Sequence, residues 1–156
     1  MKLSLTRSQL ILLATLGSAA LLAGAFVFQA IGYAPCKMCL WQRWPHAAAV
    51  LIGGAALAFG ARVWAYFGAM AALTTSGLGV YHTGVERNWW DGPTTCTSGS
   101  IAGVDPEALL EQILAAPLVR CDDVAWQLMG LSMASWNAVA SLILAVIWIA
   151  AARRAA

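Results

Sequence analysis

From Arg43 to Glu86 the chain reads RWPHAAAVLIGGAALAFGARVWAYFGAMAALTTSGLGVYHTGVE, and between those two charges only Arg62 is ionised at neutral pH. The apolar run on each side of Arg62 approaches the ~20 residues that a helix needs to cross the hydrocarbon of a bilayer. This spacing predicts two spans, over about 44–61 and 63–85, joined by almost nothing and therefore folded as a tight helical hairpin. Gly53, Gly54, Gly60 and Gly68 are small enough to let the backbones approach closely. Outward from this hairpin the same signal recurs, because no ionised residue lies between Arg7 and Lys37 or between Asp123 and Arg153. Two further spans are expected over about 9–31 and 135–152. The predicted fold is an all-α membrane protein, a four-transmembrane-helix bundle forming a single domain over 1–156.

Composition agrees. Hydrophobic residues make up 61% of the 156 and charged residues only 10%, with a mean hydropathy of +0.73, far from the usage of soluble domains. The length leaves room for four spans and one substantial loop, which excludes a larger transporter. A net charge of +2, with no basic tract longer than Arg153-Arg154, excludes nucleic acid as a partner. Lys2 and Arg7 ahead of the apolar run Leu10 to Phe28 resemble the start of a signal peptide. That run is too long, however, and no small-x-small site precedes a polar mature start, so a retained first span is expected.

Lys2, Arg7, Arg62, Arg153 and Arg154 fall on one side of the predicted bundle, Lys37, Arg43, Arg87 and Arg120 on the other. The first group stands close to span ends, and the positive-inside rule then puts both termini in the cytoplasm. Outside lie a short first loop over about 32–43 and a long second one over about 86–134. Within the long loop, Asp105-Pro106-Glu107 offers an N-cap acceptor, a proline at the first helical position and an acidic first turn. With Leu109, Leu110, Ile113 and Leu114 on one face, a short amphipathic helix is expected from Pro106 to about Ala116, lying on the membrane or on the rest of the loop.

All four cysteines, Cys36, Cys39, Cys96 and Cys121, fall in those two outer loops, in the compartment where disulfides form and persist. Cys36-Lys37-Met38-Cys39 is a C-x-x-C after a proline and just before a helix, where the helix N-terminus and nearby cations favour a thiolate. A static bridge across so small a loop adds little stability, and a zinc ribbon would need a second C-x-x-C, which Cys96 and Cys121 do not form. An active dithiol is therefore expected, and no metal site. Cys96 and Cys121 can pair, either to pin the long loop or, since Cys96 lies in the polar stretch Asp91 to Gly99, as an accessible disulfide open to exchange. Arg43, four residues after Cys39 on the same helix face, reads either as an arginine snorkelling to the interface or as a group that lowers the thiol pKa and donates hydrogen bonds to an electron acceptor. His82 comes to the same depth as Arg43 and is a candidate ligand contact or a helix-end partner of Glu86. The tryptophans cluster near the expected interfaces as an aromatic belt.

Three stretches in this order resemble the disulfide-bond formation protein B (DsbB) family. They are Cys36-Lys37-Met38-Cys39-Leu40-Trp41-Gln42-Arg43; His82 through Trp89-Trp90, Gly92-Pro93 and Cys96; and Cys121 with Trp126, Gly130-Leu131-Ser132-Met133 and Trp136. Gln42 departs from the pattern, which often carries glutamate before the arginine. The resemblance implies a protein-disulfide:quinone oxidoreductase of the bacterial inner membrane. Its partner would be a periplasmic thioredoxin-like (DsbA-like) thiol oxidase and its acceptor a membrane quinone, ubiquinone or menaquinone, drawn from the bilayer pool. By that likeness Cys96 forms the mixed disulfide with the carrier and Cys121 resolves it. Cys36 then exchanges with the loop pair, Cys39 faces the quinone, and Arg43 and His82 contact it. Two alternatives remain at this point: an enzyme similar to vitamin K epoxide reductase, in which the C-x-x-C typically comes after the loop cysteines rather than first, and a structural membrane protein with two inert disulfides.

Overall fold

The computed structural model describes residues 5–60, 62–96, 105, 107, 110, 114 and 119–154. Four long helices dominate it: α1 (Arg7–Ala30), α2 (Lys37–Phe59), α3 (Arg62–Glu86) and α4 (Met133–Arg153). A two-stranded antiparallel hairpin, β1 (Gln127–Leu128) and β2 (Leu131–Ser132), precedes α4. The helices pack in a ring, α1 on α2, α2 on α3, α3 on α4 and α4 back on α1.

The bundle is built small inside and large outside. Buried positions include Ala14, Ala49, Ala56, Ala65, Ala69, Ala72 and Ala145, whereas Leu13, Leu16, Phe26, Leu51, Phe67, Met70, Leu73, Ile143 and Val146 face outward. Lipid tails are as apolar as leucine, so helices in a bilayer gain from close backbone approach rather than from hiding large side chains. Two of the expected small residues do this, at helix pairs other than the α2–α3 hairpin. A Cβ on Gly53 would meet Thr15 Oγ1 of α1 at 2.0 Å, and one on Gly68 would meet Trp148 Cδ2 of α4 at 2.5 Å. Gly54 has nothing within 4 Å, and Gly60 ends α2 with φ 68°, a left-handed cap that glycine adopts without a steric penalty. The carbonyl of Gly60 accepts from Arg7 Nη2 at 2.6 Å, placing a cation on the negative end of the α2 dipole.

Helices α1, α3 and α4 are each long and apolar enough to cross a membrane. The first half of α2 is polar by comparison, carrying Lys37, Gln42, Arg43 and His46. Helix α2 begins at Lys37, with Cys36 as its N-cap, so most of the expected first loop is helical. A capping box between Thr6 and Gln9 starts α1, and Ser132 caps α4 by accepting from Ser135 N at 3.2 Å. After α3 the chain turns at Asn88 (φ 55°), and Trp90 folds back, stacked on Tyr81 and donating to its carbonyl at 2.9 Å. Gly84 is required there, since a Cβ would meet Trp90 at 2.0 Å. The hairpin before α4, not anticipated from sequence, turns through Met129 and Gly130, both at positive φ (53° and 75°), the signature of a two-residue type I′ turn.

The helix expected over 106–116 lies outside the described residues apart from single positions. At those positions Asp105 Oδ1 accepts from Glu107 N at 3.1 Å, as an N-cap does, and the side chains of Leu110 and Leu114 are exposed.

Candidate functional site

The four cysteines converge on one spot at the end of the bundle where α2 begins and α3 ends. Cys36, Met38, Val85, Cys96 and Cys121 form a buried apolar cluster, with Cys39 and Val119 packed against it. Cys96 and Cys121 are joined in a disulfide with Cα atoms 5.3 Å apart, and Cys36 and Cys39 are free thiols whose sulfurs lie 2.7 Å apart. The Sγ atoms of Cys36 and Cys121 and a ring nitrogen of His82 all lie within 4.8 Å of one another. The two pairs, 60 residues apart along the chain from Cys36 to Cys96, are thus neighbours in space.

Cys96 sits differently from the sequence expectation. It was expected to be accessible, and it is 1% exposed, although Thr94 and Thr95 beside it are exposed. The polar character of Asp91 to Gly99 describes those neighbours. The sulfur itself turns inward because Cys96 N donates to Pro93 O at 2.9 Å and Cys121 N to Cys96 O at 2.8 Å, which pins the disulfide onto Val85 and Cys36.

The C-x-x-C, expected just before a helix, instead forms the first turn of α2: Cys36 Sγ accepts from Cys39 N at 3.2 Å. Both thiols lie ahead of the apolar part of α2, and they are shifted in opposite directions. The Cys39 thiol is lowered, chiefly by its hydrogen bond with Cys36, with Arg43 adding a smaller favourable charge. The Cys36 thiol is raised, by that same bond and by burial. Cys39 also lines a cavity of about 400 Å³.

That cavity runs between α1, α2, α4 and the end of α3. Its wall is mostly apolar, from Leu21, Gly24, Phe28, Trp126 and Met133, with Cys39, Gln42, Arg43, His46, His82, Glu86, Arg120, Asp123 and Asn137 among its polar members. Arg43 spends two nitrogens on α1, donating from Nη1 to Gln29 Oε1 at 2.7 Å and from Nη2 to Ala25 O at 3.2 Å, with its guanidinium 4.8 Å over the ring of Phe26. Its Nε is buried and has no partner among the described residues. His82, 3% exposed, places Nε2 3.5 Å from Cys36 Sγ and 3.9 Å from Glu86 Oε1, and Nδ1 3.0 Å from Gln42 Nε2. Both expected roles, partner of Glu86 and contact at the site, are thus geometrically open to one ring. Glu86 also accepts a short hydrogen bond from Ser132 Oγ, which ties the end of α3 to the start of α4.

A line of polar side chains that sequence reasoning did not assign extends from this point into the bundle. Gln42 Oε1 accepts from Asn137 Nδ2 at 2.7 Å, Asn137 Nδ2 also reaches Thr75 Oγ1 at 3.1 Å, and Asn137 Oδ1 lies 2.8 Å from His46 Nε2. Polar residues within apolar helices are costly and mark function by default. Gln42 and His46, four apart on one helix, and Asn137 and Ser141, four apart on another, were the signal that could have found them.

The DsbB family model, described as disulfide bond formation protein DsbB, matches residues 7–151. A disulfide bond formation protein B from Albidiferax ferrireducens is 30% identical over 154 residues, covering 90% of this chain and 87% of its own length. One from Verminephrobacter eiseniae is 29% identical over 157 residues, with 93% and 85% covered, and one from an Acidovorax species is 28% identical over 134 residues, with 80% and 74% covered. No solved structure gave a significant match. With cysteine pairs meeting at the end of a membrane helix bundle, and this likeness along nearly its whole length, the chain belongs to the DsbB family of membrane disulfide bond formation proteins.

Proposed function

We propose that this protein reoxidises a periplasmic DsbA-like dithiol carrier and hands the electrons to a membrane quinone, working as one four-span domain of the bacterial inner membrane. In this reading α2 is the fourth span, both termini are cytoplasmic and all four cysteines are periplasmic. The observation that carries it is the approach of Cys36 Sγ to Cys121 Sγ, both within the 4.8 Å cluster with His82, while Cys39 touches Cys36 and lines the cavity.

Exchange requires a thiolate to reach a disulfide sulfur. The carrier's thiolate attacks Cys96 Sγ, breaking the Cys96–Cys121 bond and leaving Cys121 as a thiolate. The carrier's second thiol then displaces Cys96, in place of the Cys121 that the resemblance implied, because attack by Cys121 on Cys96 would return the carrier reduced; the carrier leaves oxidised and the loop pair holds two thiols. With Cys36 and Cys39 oxidised, Cys121 attacks Cys36 Sγ and releases Cys39 as a thiolate, and Cys96 closes on Cys121 to free Cys36. This restores the loop disulfide and leaves the C-x-x-C reduced, the pairing seen in the structure. Re-forming the Cys36–Cys39 bond releases two electrons and two protons.

A quinone, ubiquinone or menaquinone, would supply the sink by taking up both to become a quinol. The cavity fits such a ring: it is mostly apolar, Cys39 opens onto it, and two of its lining residues carry a buried polar atom with no partner among the described residues, Arg43 Nε and His46 Nδ1. Arg43 would donate to a ring oxygen, and His82 would hold Cys36 and the far wall. The burial of Cys96 favours one other reading, an inert loop disulfide. The Cys96→Ser variant separates the two. A relay predicts that oxidation of the carrier stops while Cys36 and Cys39, reduced chemically, are still reoxidised by added quinone. Normal carrier turnover by the variant would remove Cys96 as the entry point.

A further inference from the structure

One titratable group in the cavity wall has no part in the thiol relay: His46, four residues after Gln42 on α2 and 3% exposed. Its Nε2 faces Asn137 Oδ1 at 2.8 Å, with Ser141 Oγ at 3.5 Å, and its Nδ1 is buried with no partner among the described residues.

The side-chain amides decide which ring nitrogen carries the hydrogen. Gln42 Nε2 lies 3.2 Å from Met38 O, an acceptor only, so Oε1 is the atom that Gln42 turns toward Asn137. Asn137 must then present Nδ2 to Gln42. Thr75 agrees, since its hydroxyl donates to Gln42 O at 3.1 Å and is left to accept from the same Nδ2. That leaves Asn137 Oδ1, which can only accept, against His46. The hydrogen is therefore on Nε2, and Nδ1 is a bare lone pair. Three residues earlier on α2, the Nε–H of Arg43 is a buried donor with no partner among the described residues while its other nitrogens are held by α1. Residues three apart share a helix face, and both side chains line the cavity.

These two atoms distinguish the oxidation states of a quinone. Both oxygens of the oxidised ring only accept, and each oxygen of the reduced ring carries a hydrogen. Resting on the quinone reading above, we propose that His46 Nδ1, oriented by Asn137, accepts a hydrogen bond from a quinol hydroxyl, so that the cavity holds quinol more tightly than quinone. Tighter binding of the reduced form raises the potential of the bound couple, by 29.6 mV for each tenfold preference in a two-electron couple. That makes electron uptake from the thiols more favourable.

The test uses the full chain in lipid nanodiscs with its histidines labelled with 15N. The chain has only two histidines, His46 and His82, and their Nδ1 atoms differ at rest because that of His82 already accepts from Gln42. Decylubiquinol should move the free Nδ1 resonance, and decylubiquinone should not. In His46→Phe the responding signal should vanish, and the dissociation constant of decylubiquinol should rise roughly threefold to tenfold, as for loss of one neutral hydrogen bond, with that of decylubiquinone within about twofold. The spectra need no variant, so a His46→Phe chain that failed to fold would leave the test intact. Binding of both forms with the Nδ1 signal unmoved, or moved equally by both, overturns the inference while sparing the quinone reading. Failure of either form to bind the wild-type chain overturns both.

Discussion

Replacing Gln42 with leucine keeps the side chain's approximate length while removing its hydrogen bonds to three helices. Gln42 is 6% exposed and donates to Met38 O in its own helix; it also meets His82 Nδ1 on α3 at 3.0 Å and accepts from Asn137 Nδ2 on α4 at 2.7 Å. Interhelical side-chain hydrogen bonds in membrane proteins contribute about 0.6 kcal/mol each and at most about 1.7, so losing two should cost about 1 to 3.5 kcal/mol. The upper half of that range is expected here, because His82 Nδ1 is left buried with no other partner, whereas Asn137 Nδ2 keeps Thr75. The variant should unfold at lower denaturant in SDS titrations of helicity. It should also exchange disulfides more slowly between Cys121 and Cys36, since His82 loses the contact that fixes its ring beside Cys36. Gln42→Glu is the control: it retains an acceptor for Asn137 and, when protonated, a donor for His82, and it should keep most of both properties. Gln42→Leu with stability within about 0.5 kcal/mol of wild type, the range of surface changes, would refute the view that these bonds hold the site together.

Two further outcomes follow from the same geometry. Arg43→Met should slow quinone reduction in stopped-flow measurements by roughly one to two powers of ten, the equivalent of a charge-assisted hydrogen bond of about 1.5 to 3 kcal/mol. Trapping of the mixed disulfide at Cys96 should stay near normal in that variant. Gly68→Ala should destabilise the bundle by about 1 to 3 kcal/mol in the same SDS titration, because the added carbon meets Trp148, which is fully buried, at 2.5 Å.

The four helices were legible because ionised residues are excluded from the hydrocarbon, so the gaps from Arg7 to Lys37 and from Asp123 to Arg153 mark out α1 and α4 directly. The start of α2 was less so: a charge at Lys37 or Arg43 ends an apolar run but does not end a helix, and Cys36 serves as the cap. The β1–β2 hairpin escaped notice because its turn is Met129-Gly130 rather than the asparagine-glycine or aspartate-glycine that signals such turns. Within the site, the expectation that Cys36 and Cys39 form a dithiol rests on local spacing, and their sulfurs lie 2.7 Å apart. The burial of Cys96 did not follow, since it depends on backbone bonds to Pro93 and Cys121, the latter far along the chain. Nor did the Gln42–Asn137–His46 line, whose members come from two helices and become partners only when α2 and α4 face the same cavity.

The central claim is that the two cysteine pairs exchange directly through Cys36 and Cys121. It is tested most directly in a chain carrying Cys39→Ser and Cys96→Ser together, in which only those two cysteines remain. Because their sulfurs lie within 4.8 Å of each other, mild oxidation of this variant in membranes should join them in near-quantitative yield, read as a Cys36–Cys121 peptide by mass spectrometry after proteolysis and lost on reduction. Persistence of two free thiols under conditions that fully oxidise Cys96 and Cys121 in the wild-type chain would contradict the relay.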